Sequence, residues 1–108
     1  MPKTPKRVYG PAQLGNTTAT RYTVPASTKA VIRHIRFSNP TGGALTVTTS
    51  IGADAAGTRI YDAYSLAAGA VLDVYPNTTM EAAEVLAAHA SAATSVVMVV
   101  DADEYTLG

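Results

Sequence analysis

From Ala19 onward, apolar and polar residues alternate with a period of two through most of the chain. Successive side chains of a strand point to opposite faces, so this period marks half-buried β-strands. Arg21-Tyr22-Thr23-Val24 reads as a short strand closed by Pro25, and Ala26-Ser27-Thr28 as a turn. Lys29 to Ser38 is the clearest strand, with Val31, Ile35 and Phe37 on one face and Ile32, His34 and Arg36 on the other. On that parity Arg33 and Arg36 project to opposite faces. Asn39-Pro40-Thr41-Gly42-Gly43 is a strong turn signal. Leu45, Val47, Thr49 and Ile51 then alternate with Thr46, Thr48 and Ser50. β-Branched residues suit a pleated, half-buried surface, and the two strands read as a hairpin.

Further strands are expected at Arg59–Tyr64, Val71–Tyr75 and Ser95–Val100. The first follows the small-residue loop Gly52–Gly57, the second follows the turn Ala67-Ala68-Gly69 and stops at Pro76-Asn77, and the unbroken apolar run of the third implies burial on both faces. Residues 79–90 carry two signals. Their composition favours a helix that Thr79 could cap. Strands recurring every 8–12 residues or so on either side favour an all-β domain. Glu84 to Ser91 is therefore taken as a strand, with a turn at Ala92-Ala93-Thr94.

Residues 1–18 break the alternation. Pro2, Pro5 and Pro11 lack an amide donor and favour extended backbone, while Gly10, Gly15 and Asn16 supply turns. Only Val8, Tyr9 and Leu14 could dock on a core. The expected organisation is an extended N-terminal arm (1–18), a β-sandwich domain (19–101) and an acidic C-terminal tail (102–108). The expected fold is all-β: an antiparallel β-sandwich of jelly-roll or immunoglobulin-like type with that arm.

Composition sharpens this picture. Aromatic residues are 6% of the chain and Trp is absent, so the core must be built from Val, Ile, Leu and Ala. There is no cysteine, which excludes disulfides, thiolate metal sites and a thiol nucleophile. The basic start at Lys3, Lys6 and Arg7 lacks the apolar run of a signal peptide. No stretch reaches the roughly 18 apolar residues that a membrane-spanning helix needs. The chain is expected to stay in the cytoplasm until it is assembled.

The formal net charge of zero hides an asymmetry. Lys3, Lys6, Arg7, Arg21, Lys29, Arg33 and Arg36 fall in residues 1–53, which carry no acid. Residues 54–108 carry Arg59 against Asp54, Asp62, Asp73, Glu81, Glu84, Asp101, Asp103 and Glu104. Either one subunit's basic surface meets the next subunit's acidic one, or strands of the two halves pair and neutralise each other within the chain. Three basic residues without aromatic stacking partners are a weak nucleic-acid footprint, and no nucleic-acid partner is expected.

Tyr22-Thr23-Val24-Pro25-Ala26, a strand ending Ile35-Arg36-Phe37-Ser38-Asn39, a Thr-Gly-Gly turn and a Thr/Val-rich strand follow one another here. This order, with Leu66-Ala67-Ala68-Gly69-Ala70-Val71 further on, resembles small structural proteins of tailed bacteriophages. Ala83-Glu84-Val85 departs from their usual Gly-Asp-hydrophobic step. The resemblance implies a virion component, tail-associated (minor tail or tail tip) or decorating the head, with a slight preference for the tail.

Catalytic chemistry has little support. No phosphate-binding loop, dinucleotide fingerprint or nucleophile elbow is present. His34 lies mid-strand and His89 in an Ala-rich stretch, each better read as capping a strand face or an interface than as a ligand. Asp101-Ala102-Asp103-Glu104 holds carboxylates for a hard cation but lacks the remaining ligands and the glycine of such a loop. No enzyme activity, cofactor or metal is expected.

The functional expectation is a homo-oligomeric subunit whose arm contacts neighbours, with Lys3, Lys6, Arg7 and Tyr9 as candidate interface residues against Asp101, Asp103 and Glu104. Partners would be copies of itself and other virion proteins, a tail or major capsid protein. A second reading is a module binding host-surface glycan through Gly52–Gly57 and Pro76–Thr79. The lack of Trp weighs against it.

Overall fold

A computed structural model describes residues 3–52, 55, 57–92 and 95–106. It contains nine strands and, among those residues, no helix: β1 (Lys3–Gln13), β2 (Ala19–Thr23), β3 (Thr28–Ser38), β4 (Leu45–Ile51), β5 (Arg59–Leu66), β6 (Val71–Val74), β7 (Thr78–Met80), β8 (Val85–Ala90) and β9 (Val97–Thr106). One sheet has the order β1-β9-β3-β6, with β7 also paired to β3, and the other β2-β8-β4-β5. All pairs are antiparallel. The chain is an all-β sandwich. Its strand order is that of a jelly roll, two Greek keys wound together, and not the immunoglobulin arrangement.

The core lies between the sheets. Ile32, Ile35, Phe37, Met98 and Val100 from the first sheet meet Val47, Leu66 and Leu86 from the second, with Leu14 and Val96 closing one end. Ala88 and Ala90 on β8 let the sheets approach closely where a larger residue would hold them apart. Residues 85–90 are strand, since β8 sits between β2 and β4 and its helix-forming alanines are fixed by pairing on both sides.

Three expectations are corrected. β3 and β4 are not a hairpin: they belong to different sheets. Asn39 explains the crossing. It is buried, and its amide nitrogen donates to the carbonyls of Gly43, Leu66 and Ala67, while its side-chain oxygen accepts from the Thr41 N–H and hydroxyl. Its backbone pairs with Ala70 and Gly69. The turn is thereby tied to the β5–β6 connection rather than closing on itself.

Residues 3–13 of the expected arm are the edge strand β1, paired along β9. Apolar Val8 and Tyr9 pack against the core, and Leu14 is fully buried. At Gly10 (φ 75°) β1 comes so close to β9 that a Cβ would lie 2.0 Å from the Met98 carbonyl oxygen. Residues 102–106 of the expected tail likewise belong to β9, the strand between β1 and β3; residues 107 and 108 lie outside the described set. β9 itself buries Met98 and Val100 inward and leaves Val97 and Val99 half-buried on the outer face.

The third correction concerns the parity of β3. Ile32 pairs with Ala102 and His34 with Asp101, so one extra residue, Arg33, is inserted between them. This β-bulge reverses the alternation. Ala30 and Ile32 are buried before it and Ile35 and Phe37 after it, while Val31 lies half-buried on the outer face. Arg33, His34 and Arg36 consequently share the outer face.

Two buried polar side chains make opposite predictions. Asn39→Ala leaves the buried Leu66 carbonyl without that donor and releases the crossing, and should cost about 1–3 kcal/mol, the penalty for one buried group left unpaired. The Thr49 hydroxyl is buried without a hydrogen-bond partner, so Thr49→Val should be neutral or stabilise by about 1 kcal/mol. Urea denaturation of the two variants tests both signs.

Candidate functional site: the ion-paired face of the first sheet

The bulge in β3 faces a break in the strands beside it. β6 pairs with Ile35–Ser38 and β7 with Ala30–Ile32, leaving Tyr75, Pro76 and Asn77 opposite Arg33 and His34. Tyr75 stacks on His34, with ring centroids 5.0 Å apart, and Arg33 reaches the Asn77 side-chain oxygen at 3.5 Å. The two irregularities fit together.

Acids from both neighbouring strands meet the basic residues of β3. The Arg33 Nε lies 2.6 Å from Asp103, and the Arg36 Nε 2.8 Å from Asp73. His34 bridges two carboxylates, with Nε2 2.7 Å from Asp73 and Nδ1 3.2 Å from Asp101. Lys29 pairs with Glu81 at 3.5 Å and Lys6 with Glu104 at 3.2 Å. In each of these pairs a base from the first half of the chain meets an acid from the second. Arg59 and Asp62 pair locally on β5.

The Asp101, Asp103 and Glu104 carboxylates are thus divided among His34, Arg33 and Lys6, and do not converge as a cation site would require. Glu104 also accepts the Tyr22 hydroxyl from the opposite sheet. Burial and that bond push the Tyr22 phenol well above its ordinary value. Tyr9 and Arg21 join β1 to β2: the guanidinium carbon lies 5.9 Å over the Tyr9 ring, one nitrogen is 3.4 Å from the Tyr9 hydroxyl, and two donate to the Ala88 carbonyl.

Of the candidate interface residues, Lys6 and Glu104 are joined within one chain. Arg7 lies across from Asp101, and Lys3 across from Tyr105, in the β1–β9 register. Pro5, Lys6, Arg7, Arg33, Asp101 and Asp103 border an open hollow of about 370 Å³ on this face. Of the candidate glycan loops, residues 53, 54 and 56 lie outside the described residues, and Pro76–Thr79 runs into β7. Neither the acceptors of His34 nor the sharing of one face by Arg33 and Arg36 is visible in the sequence pattern. The inserted residue that produces both carries no glycine or proline to mark it.

No family model matches this chain, and no curated sequence does. Solved structures do. A chain of the disulfide-linked pili of Bacillus endospore appendages matches with a TM-score of 0.58 and 18% identity, over 98% of this chain and 89% of that one. A chain in the capsid structure of Helicobacter pylori bacteriophage KHP30 matches with a TM-score of 0.56 and 11% identity, over 97% of this chain and 95% of that one. A chain of infectious bursal disease virus, Gx strain, matches with a TM-score of 0.58 and 16% identity over 99% of this chain but 32% of its own length. At these identities the likeness is one of fold.

The electrostatics of His34 set a pH window. Burial draws its pKa down, but the bonds to Asp101 and Asp73 outweigh that and hold it above the ordinary 6.5. The hydrogen bond from Arg36, then that from His34, holds Asp73 below the ordinary 3.8. The His34 contribution is full below 6.5 and is lost as pH rises through the raised value; the Asp73 contribution is present above 3.8 and is lost as pH falls through the lowered value. Thermal stability should therefore be greatest between those two values. His34→Gln should flatten its alkaline limb, which melting curves across the pH range will show.

Proposed function

We propose that this chain is a non-enzymatic structural subunit of a tailed-bacteriophage virion, one that works by assembling with copies of itself and with other virion proteins. The observation that carries the reading is the whole-length likeness to a chain in a bacteriophage capsid structure, in which each molecule covers nearly all of the other. Jelly rolls recur as viral shell modules, and the infectious bursal disease virus match belongs with that use. Fold alone does not assign function, so the support lies in the fold together with the resemblance to phage structural proteins at residues 22–51 and 66–71.

The same likeness favours a place on the shell over one on the tail. The pilus match is a poorer guide to assembly, since a chain without cysteine cannot be linked by disulfides. The face of the first sheet also fits a passive subunit, because its carboxylates and guanidinium groups hold the strands to one another. Repetition over a lattice makes individually weak contacts collectively strong.

A cryo-EM map of the particle that carries this protein tests the reading. Repeated density of this sandwich over the shell is the expected result. Density confined to the tail would overturn the shell assignment, and a particle lacking the chain altogether would overturn the proposal.

A further inference from the structure

The charged residues are distributed unevenly along the length of the sandwich. All eight basic and all eight acidic residues fall outside four segments: 8–20, 37–53, 63–72 and 85–100. Each segment contains one connection between strands: 14–18, 39–44, 67–70, and a fourth of which residues 91, 92, 95 and 96 are described. Backbone hydrogen bonds gather these four connections at one end of the molecule. Leu14 donates to the Val96 carbonyl, Ala90 to Gly15, Ser91 to Thr46, Asn39 to Ala70, and Gly69 to Asn39. The molecule, 48 × 25 × 18 Å, thus has one end without a charge.

Two further features belong to this end. Val71, which follows directly on the 67–70 connection, is 58% exposed, and Tyr64, two residues before the end of β5, is 46% exposed. Among the described residues they are two of the three large hydrophobic side chains that lie exposed. The connections at 14–18, 39–44 and 67–70 are also tied down, by the bonds above and by the Asn39 side chain. A preordered surface loses little conformational entropy when it is covered, and depletion of charge is the compositional mark of an interface core.

We propose that this uncharged end is a self-association surface, occupied by the same end of a second copy of the chain. This deepens the assembly role proposed above and rests on it. Charge decides the occupant. The outer face of the first sheet and the opposite end carry the ion pairs, and set against the uncharged end they would lose water from groups it cannot replace. The second sheet is bordered by Arg21 on β2 and by Arg59 and Asp62 on β5. The uncharged end matches itself, which is the condition for a symmetric contact. An end of 25 × 18 Å is small beside the roughly 800 Å² per partner of a stable complex, so a pair held by it alone should be weak and should strengthen only within a larger assembly.

Sedimentation of the purified full-length chain over a range from micromolar to about millimolar tests this. The wild type should associate as concentration rises. Ala68→Glu and Gly42→Glu place a charge on the end at exposed positions, Gly42 having nothing within 4 Å of an added Cβ. Each should weaken association by at least about tenfold, because the charge meets its own copy across the contact. Ala82→Glu, an exposed site in the β7–β8 connection, should change nothing. Melting curves confirm that all three variants fold. Association that survives both end variants would overturn this proposal and leave the assembly role standing. A wild type that stays monomeric throughout would also overturn this proposal, while the assembly role would fall only with a particle that lacks the chain.

Discussion

The structure depends on one acidic strand placed between two basic ones. β9 carries Asp101, Asp103 and Glu104 and lies between β1, with Lys3, Lys6 and Arg7, and β3, with Lys29, Arg33 and Arg36. The two halves of the chain carry charges of opposite sign, and a strand order that interleaves them brings those charges together. The jelly roll does so by returning the last strand to the first sheet, where both neighbours come from the basic half. Exposed ion pairs contribute little singly, so their effect lies less in raw stability than in fixing which strands are neighbours and in what register.

The bulge at Arg33 turns that adjacency into a network. Without the extra residue Arg33 would alternate away from Arg36, and one of the two would point toward the apolar core. With it, Arg33, His34 and Arg36 share the outer face and meet Asp73, Asp101 and Asp103. The break at Tyr75–Asn77 in the adjoining strand accommodates the same irregularity, so bulge and break form one feature. The result is a self-satisfied face on one side of the sandwich and, along its length, an end without charge. That division is what the proposed assembly role calls for.

Much of this was legible in the residues. Alternation located the β2, β3, β4, β5 and β6 strands, an unbroken apolar run located the first part of β9, and regular spacing carried the correct choice of strand for 85–90 against its helix propensity. The charge asymmetry held the pairing of the halves as one of two readings. What local pattern could not convey was sheet membership. A turn such as Asn39–Gly43 reads as a hairpin in isolation, and it crosses between sheets because a buried amide binds carbonyls 27 and 28 residues away. The N-terminal strand was missed because its prolines and glycines mimic an arm. Pro5, Pro11 and the register shifts between Arg7 and Ala12 are instead the marks of a strand at an edge, where they discourage further pairing. The parity of β3 failed for a plain reason: one inserted residue reverses every side chain beyond it.

The measurement that bears most directly on this account is whether β1 completes its own sheet. Lys3 and Tyr105 are partners in the β1–β9 register, at a spacing of about 4.5–5.5 Å that a disulfide can bridge. With no native cysteine to interfere, the double variant Lys3→Cys/Tyr105→Cys can be oxidised and run on a non-reducing gel. A cross-link within single chains is expected, with the mobility of a monomer at every protein concentration. Covalent dimers and higher ladders as the main product would contradict it, and would mean that the N-terminal strand lies on a neighbour.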